Sequence, residues 1–280
     1  MPVTGETGKG KTSFLSLLAN VLNGNDPSQY VIFHDESNEA GGTKAQSQTN
    51  SAKLYELTSK NGITVRILDT PGLADTRGFA RDEQNKESIA KAIEENIPLV
   101  NAVIILANGT EERIGTATDY ALTTLSSIFP RTLANNIGIV FSNVASPLSC
   151  NFDIDSLPDA LRGIQNNQFL LDNPLALWKK FIQFRDQKKT NKRDLAELES
   201  VVGEGHAKAL RQLVRLFDWL DTLVPQPTKD IINLLKKSQE IEDKIEKALD
   251  YASKLAHMKN KLEKIRESND GNVIVRPFAP

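Results

Sequence analysis

Gly5-Glu6-Thr7-Gly8-Lys9-Gly10-Lys11-Thr12 fits the pattern G-x-x-x-x-G-K-[ST] at every fixed position. Glycines at 5, 8 and 10 let the backbone curl so that successive N–H groups converge on an anion. Lys11 is long enough to reach the outer phosphates of a triphosphate, and the Thr12 hydroxyl suits Mg²⁺. The intervening Glu6, Thr7 and Lys9, with Ser13 after Thr12, complete the candidate phosphate-binding set. A glycine-rich surface turn would share this composition, but it would not open an amphipathic helix. Phe14, Leu17, Leu18, Val21 and Leu22 recur at helical spacing, and Gly24 supplies a stop. A helix starting here aims the positive end of its dipole at the anion.

Working outward, Asp69-Thr70-Pro71-Gly72 closes an apolar strand, Ile63 to Leu68. A carboxylate there supports Mg²⁺, usually through water, and the Gly72 N–H can sense the outermost phosphate. Upstream, Lys53 to Leu57 reads as a strand, Asn61-Gly62 as a two-residue hairpin turn, and Ile63, Val65 and Ile67 alternate on the return strand. A hairpin feeding into the aspartate motif is the layout of signalling-type GTPases. P-loop kinases of small metabolites usually lack it, and no arginine-rich lid is apparent.

The remaining pattern alternates strands and helices. Ile89, Ile93 and Ile97 form one helix face that Pro98 ends, and Leu99 to Ala107 reads as one near-continuous buried strand. Leu122, Leu125, Ile128 and Phe129 mark a helix closed by Pro130, Ile137 to Phe141 a strand, Phe169 to Leu171 a short last strand, and Ala176 to Gln183 a helix. Residues 25–50, mostly polar and containing Gly41-Gly42, read as a long mobile loop. The fold class is α/β, a three-layer P-loop NTPase arrangement with a mostly parallel sheet. From about residue 175 the strand signals stop. Leu210, Leu213, Val214, Phe217, Leu220 and Leu223 define an amphipathic helix, Pro225-Gln226-Pro227 breaks it, and Thr228 can cap the next. That last helix carries Ile231, Leu234, Ile241, Ile245, Ala248, Ala252, Leu255 and Leu262 on a seven-residue grid interrupted by Ser238 and Lys259. It would form a rod of roughly 60 Å. Two arrangements fit: a helical hairpin packed on the first domain, or a coiled-coil dimer arm. The expected organisation is a nucleotide domain over 1–185, a helical arm over 186–270 and a tail over 271–280. Lys188, Lys189, Lys192 and Arg193 read as a solvated helix end.

Composition narrows the classes. The chain has 280 residues with Lys+Arg 34 against Asp+Glu 36, a net charge of −2, so a broad electrostatic grip on nucleic acid is not expected. The one cysteine, Cys150, excludes an intrachain disulfide and a four-cysteine zinc site, and His34, His206 and His257 are widely spread. No apolar run has the length of a membrane span, and the N-terminus lacks the features of a signal peptide, so no integral membrane segment and a cytoplasmic location are expected. Pro2 and a C-terminus without cysteine leave no lipidation signal.

With these motifs the chain resembles the immune-associated nucleotide-binding (AIG-type) GTPases over roughly residues 3–185. It is similar at greater distance to septins and chloroplast-import receptor GTPases. The residues that carry the likeness are the phosphate loop, Asp69-Thr-Pro-Gly-Leu-Ala-Asp-Thr-Arg77 and the apolar strand after it. The resemblance implies GTP and GDP as ligands, Mg²⁺ as cofactor, and a switch-I threonine at Thr49, with Thr43 as the competitor. It also implies a second switch over residues 73–85 that exposes Arg77, Arg81 and Asp82, and a homodimer through the nucleotide domain or the arm.

Three departures shape the expectation. The place of the base-specifying aspartate reads Ser142-Asn143-Val144-Ala145, so Asn143, helped by Asn173 before Pro174, is the candidate base contact and adenine stays open. Leu73 stands where a catalytic glutamine would orient water, so hydrolysis is expected to be slow, with Arg77 and Arg113 as candidate charge stabilisers in trans. Only Met1 to Thr4 precede the loop, and Pro2 lacks an N–H, so the first strand is expected to be cut short and the sheet weakened beside the phosphates. The expected function is a GTP-controlled switch or assembly module. A non-hydrolysing nucleotide-gated scaffold and an ATPase are the alternatives.

Overall fold

The computed structural model describes residues 1–5, 8–33, 52–71, 88–89, 91–112, 131–153, 155, 157, 167–186 and 191–270. Its strands are β1 (Pro2–Gly5), β2 (Lys53–Thr58), β3 (Thr64–Asp69), β4 (Leu99–Val100), β5 (Val103–Asn108), β6 (Ile137–Ser142), β7 (Gln168–Leu171) and β8 (Gln226–Pro227). Among the described residues the long helices are α1 (Lys11–Leu22), α2 (Pro174–Asp186), α3 (Lys192–Asp221) and α4 (Thr228–Asp270). Six strands form one sheet in the order β2-β3-β1-β5-β6-β7. All neighbours run parallel except β2 and β3. With the flanking helices this is the three-layer P-loop NTPase fold. β5 and β6 are buried along almost their whole length, which is why they read as continuous apolar runs rather than alternating ones.

β1 is central, in register with Leu68 and Asp69 on one side and Ile104, Ile105 and Leu106 on the other. From β1 the chain passes through α1 to β2 and β3 on one side, and only afterwards crosses to β5 on the other. The carboxyl end of β1 therefore lies at a topological switch point, where open α/β sheets bind ligands. Met1 prolongs the pairing of β1: the Leu68 N–H donates to the Met1 carbonyl, and the Met1 amino group donates to the Arg66 carbonyl at 2.8 Å. Burial pushes that amino group down to about 5.

Several expectations are corrected. The β2–β3 connection spans five residues, 59–63, not two, and only Gly62 adopts positive φ there (79°). Ser59 closes it, donating its N–H to the Ile63 carbonyl while its hydroxyl accepts from the Ile63 N–H, so Ile63 lies outside the strand and is 64% exposed. The run Leu99 to Ala107 is not one strand. It breaks at Asn101-Ala102, because Asn136 takes the Asn101 carbonyl and the first piece pairs with β8. Pro225-Gln-Pro227 does end a helix, but Gln226 and Pro227 then pair antiparallel with Val100 and Leu99, so strand structure continues past residue 175. The start of the polar loop is pinned to α1: Asn20 exchanges hydrogen bonds with Val31, and Ser16 with Phe33.

One compact unit covers Met1–Asn233 and a second covers Leu234–Pro280. α3 belongs to the first because Ala209, Leu213 and Leu216 join the core cluster of Phe14, Leu17 and Leu18. Val214, assigned to the buried face, is exposed, and Leu216 takes its place. Each such leucine contributes roughly 1.5–3 kcal/mol through burial. Gly138 on β6 makes room for Trp219: a Cβ there would sit 2.9 Å from the indole. Thr228 opens α4, but its hydroxyl donates to the Ile97 carbonyl. In the second unit, Ile241, Ile245, Leu249, Leu255 and Leu262 are all exposed. The helix at 122–129, residues 188 and 189 of the basic cluster and the tail lie outside the described residues. Among the described residues no helix is long and apolar enough to cross a membrane.

Candidate functional site

The phosphate loop leaves β1 at Gly5 and enters α1 at Lys11. Gly5, Gly8 and Gly10 have φ of 139°, 81° and 95°, the left-handed region that L side chains rarely adopt. Gly5 is doubly constrained, since a Cβ there would lie 2.4 Å from the Leu106 carbonyl oxygen on β5. Around Gly8 and Gly10 a Cβ would meet nothing within 4 Å, so those two serve conformation alone and leave the concave side open. α1 has no side-chain cap on its first turn. Amide groups there are thus available to an anion, as at other helix N-termini that bind phosphate.

Lys11 is buried and donates to the Gly5 carbonyl at 3.2 Å, so its ammonium lies folded over the loop. Asp69 ends β3, the strand beside β1, and is 3% exposed. Among the described residues its Oδ1 is buried without a hydrogen-bond partner. Burial pushes its carboxyl up to about 6, opposed by the charge of Lys11 and the Thr70 N–H. An orphaned, desolvated carboxylate oxygen beside a phosphate loop fits a hard cation and its water shell. Thr12 lies in the first turn of α1. Thr70 fixes the strand end by donating its hydroxyl to the Val3 carbonyl at 3.0 Å.

A cavity of about 240 Å³ opens next to the loop. Gly8, Lys9, Gly10 and Ser13 line it from the loop, Ser142 and Asn143 from the end of β6, and Asn173 and Lys179 from the segment after β7. The sequence-predicted Gly8, Lys9, Gly10, Ser13, Asn143 and Asn173 are therefore brought together. Asn173 is held by its own bonds: Nδ2 donates to the Ser13 carbonyl at 2.9 Å, and Oδ1 accepts the Leu175 N–H at 3.0 Å. Asn143 has φ 63°, and among the described residues no other non-glycine has positive φ. Lys9 forms an ion pair with Glu111 at 2.7 Å.

Sequence reasoning missed Ser142, Lys179 and Glu111. Lys179 sits one helical turn after Leu175 in α2, but nothing local distinguishes it from Lys180. Glu111 comes just after the end of β5, and its position after an apolar strand was the available signal. Glu6, Thr7, Thr43, Thr49, Gly72, Arg77, Arg81, Asp82 and Arg113 lie outside the described residues.

No family model matches the chain, and neither does any curated protein sequence. Among solved structures, it is similar to Toc33 from Arabidopsis thaliana. The complex with GDP and Mg²⁺ is 17% identical, with a TM-score of 0.37, over 71% of this chain and 66% of that one. The complex with Mg²⁺ and GMPPNP is 14% identical, with a TM-score of 0.43, over 75% and 84%. A dimerization-deficient Toc33 mutant is 18% identical, with a TM-score of 0.37, over 71% and 66%. The chain thus spans just under two thirds of the first and third of these structures.

Proposed function

We propose that the chain is a GTP-binding switch whose site holds a Mg²⁺-bound triphosphate and hydrolyses it slowly. The observation that carries this reading is the buried, unpartnered Asp69 Oδ1 beside a phosphate loop whose lysine is already folded over it. The chain's own residues divide the work. Backbone amides of the loop and of the first turn of α1 bind the phosphates, and Lys11 neutralises their charge. Thr12, Asp69 and Thr49 would hold Mg²⁺, which would supply charge neutralisation to the phosphates. Gly72 is the proposed sensor of the outermost phosphate, through its N–H. With Leu73 in the water-orienting position, turnover is slow unless a partner adds a group, for which Arg77 and Arg113 are the proposed sources.

A second copy of the chain is the proposed partner. Ile241, Ile245, Leu255 and Leu262 are exposed on the seven-residue grid of α4, and Lys237 and Glu242 flank it five residues apart, the spacing that pairs opposite charges across a parallel coiled coil. Titration of Mg²⁺-GTP into the wild type and Lys11→Ala, with light scattering in each state, tests both points. Tight binding lost in Lys11→Ala is the expected result, whereas equal binding by both proteins contradicts the site. Release of phosphate in a single turnover separates a slow GTPase from a non-hydrolysing scaffold.

A further inference from the structure

Two buried polar side chains of α1 act toward the entry of the long polar loop as a neighbouring strand would. Asn20 Nδ2 donates to the Val31 carbonyl at 2.7 Å, and Asn20 Oδ1 accepts the Val31 N–H at 3.0 Å. Ser16 Oγ donates to the Phe33 carbonyl at 2.9 Å and accepts the Phe33 N–H at 3.0 Å. Each side chain thus takes both backbone groups of one residue, and alternate residues of the segment are taken. The spacings match: four residues of helix rise about 6 Å, and two residues of extended chain span about 6.6 Å. Asn20 is 0% and Ser16 1% exposed. Asn20 also donates to the Ser16 carbonyl at 2.8 Å and accepts from Asn25 Nδ2 at 3.0 Å, so its amide is fully used and its direction fixed.

Val31 and Ile32 are more than half exposed, so burial of their side chains does not hold this segment. The backbone bonds to α1 hold it, with a ring at each end. The Tyr30 hydroxyl bonds His206 Nδ1 of α3 at 2.5 Å, and the Phe33 ring meets Tyr55 of β2 edge-on at 5.8 Å. The ladder also has a direction. From Val31 to Phe33 the partner moves back from Asn20 to Ser16, toward the phosphate loop, and the next turn of α1 holds Thr12. We propose that Ser16 and Asn20 are positioning residues that aim the chain after Phe33 at the phosphate end, so that the preference for a triphosphate over a diphosphate depends on them. This rests on the nucleotide reading above and goes beyond it by naming what holds the entry to Thr43 and Thr49. Loop amides and Lys11 suffice for a diphosphate. A Mg²⁺-bound outermost phosphate also draws on a hydroxyl carried by the chain that follows Phe33. Without the ladder that chain starts from an unfixed end, and the triphosphate alone bears the cost of ordering it.

Equilibrium binding of Mg²⁺-GMPPNP and Mg²⁺-GDP to the full chain, to Ser16→Ala and to Ser16→Thr tests the proposal. Ser16→Ala removes both bonds to Phe33 and should lower the GMPPNP-to-GDP affinity ratio on the order of tenfold, the cost of ordering about one released residue. Ser16→Thr keeps the hydroxyl and should restore the ratio. A ratio of two ligands on one protein is insensitive to partial unfolding of the variant. An unchanged ratio in Ser16→Ala, including an equal loss for both ligands, overturns the proposal, as does a ratio that Ser16→Thr does not restore. If the wild type binds GMPPNP and GDP equally and still requires Lys11, only this proposal falls. If neither binds, the nucleotide reading falls with it.

Discussion

The two ends of the candidate site are built differently. The phosphate end is backbone: three glycines at positive φ, a helix N-terminus without a side-chain cap, and one lysine, all within residues 5–12. The base end is side chains from distant segments: Ser142 and Asn143 at the end of β6, Asn173 and Lys179 after β7, and Glu111 and Asn108 behind them. Backbone sites depend on local conformation, so their faults appear as lost folding or lost binding outright. Side-chain sites depend on the direction of amides, so their faults appear as altered preference.

The largest expected effect strikes the phosphate end. Gly5→Ala puts a Cβ 2.4 Å from the Leu106 carbonyl at a φ of 139°. Clash and strain together should cost about 3 kcal/mol or more of stability, read by urea denaturation. Gly8→Ala, with open space around it, should cost only about 1–2 kcal/mol for the left-handed backbone. Equal costs at the two positions would mean that the close approach to β5 is not what constrains the loop.

Asp69 comes next. Its carboxyl titrates near 6 in the fold against an ordinary 3.8, so the folded chain binds that proton more tightly than the unfolded one. The stability of the ligand-free protein attributable to Asp69 is therefore complete below pH 3.8 and falls by about 3 kcal/mol as pH rises through 6. The Met1 amino group, lowered from 8.0 to about 5, acts in the opposite sense between those values. The difference between wild type and Asp69→Asn, tracked across pH 4 to 8, isolates the carboxyl, and a flat difference would refute the assignment. Mg²⁺ binding should weaken as pH falls below about 6, because the proton and the cation compete for the same carboxylate.

Lys11→Ala should weaken triphosphate binding on the order of a hundredfold by removing a charge-assisted contact. The smallest effect belongs to the base end. Asn173→Ala breaks the bond to the Ser13 carbonyl and should cost about 1 kcal/mol of stability, with a similar loss in nucleotide affinity. A larger loss would mean that Asn173 positions the phosphate loop as well as the cavity wall.

Legibility in the sequence split along the same division. The loop, the first helix, the hairpin strands and Asp69 could be read because periodicity and turn residues are local properties. The break in Leu99 to Ala107 could not, because apolar residues continue through it and the cause is Asn136, which takes the Asn101 carbonyl from across the fold. The two-residue strand at Gln226-Pro227 was masked by prolines, whose missing N–H argues against a strand until an edge partner is known. α3 was assigned to the arm because its pattern is helical, although Gly138, a gap in β6 for Trp219, already ties it to the sheet. Asn143 and Asn173 were found as asparagines at the right strand ends, while the bonds behind Asn143, through Asn108 to Glu111, have no one-dimensional signature.

The most direct measurement is calorimetric titration of Mg²⁺-GTP into the full chain beside Lys11→Ala and Asp69→Asn. Saturable binding by the wild type is expected, with a Lys11→Ala protein that binds far more weakly and an Asp69→Asn protein whose binding no longer responds to Mg²⁺. Indistinguishable titrations for the three proteins would contradict a triphosphate site built on these residues.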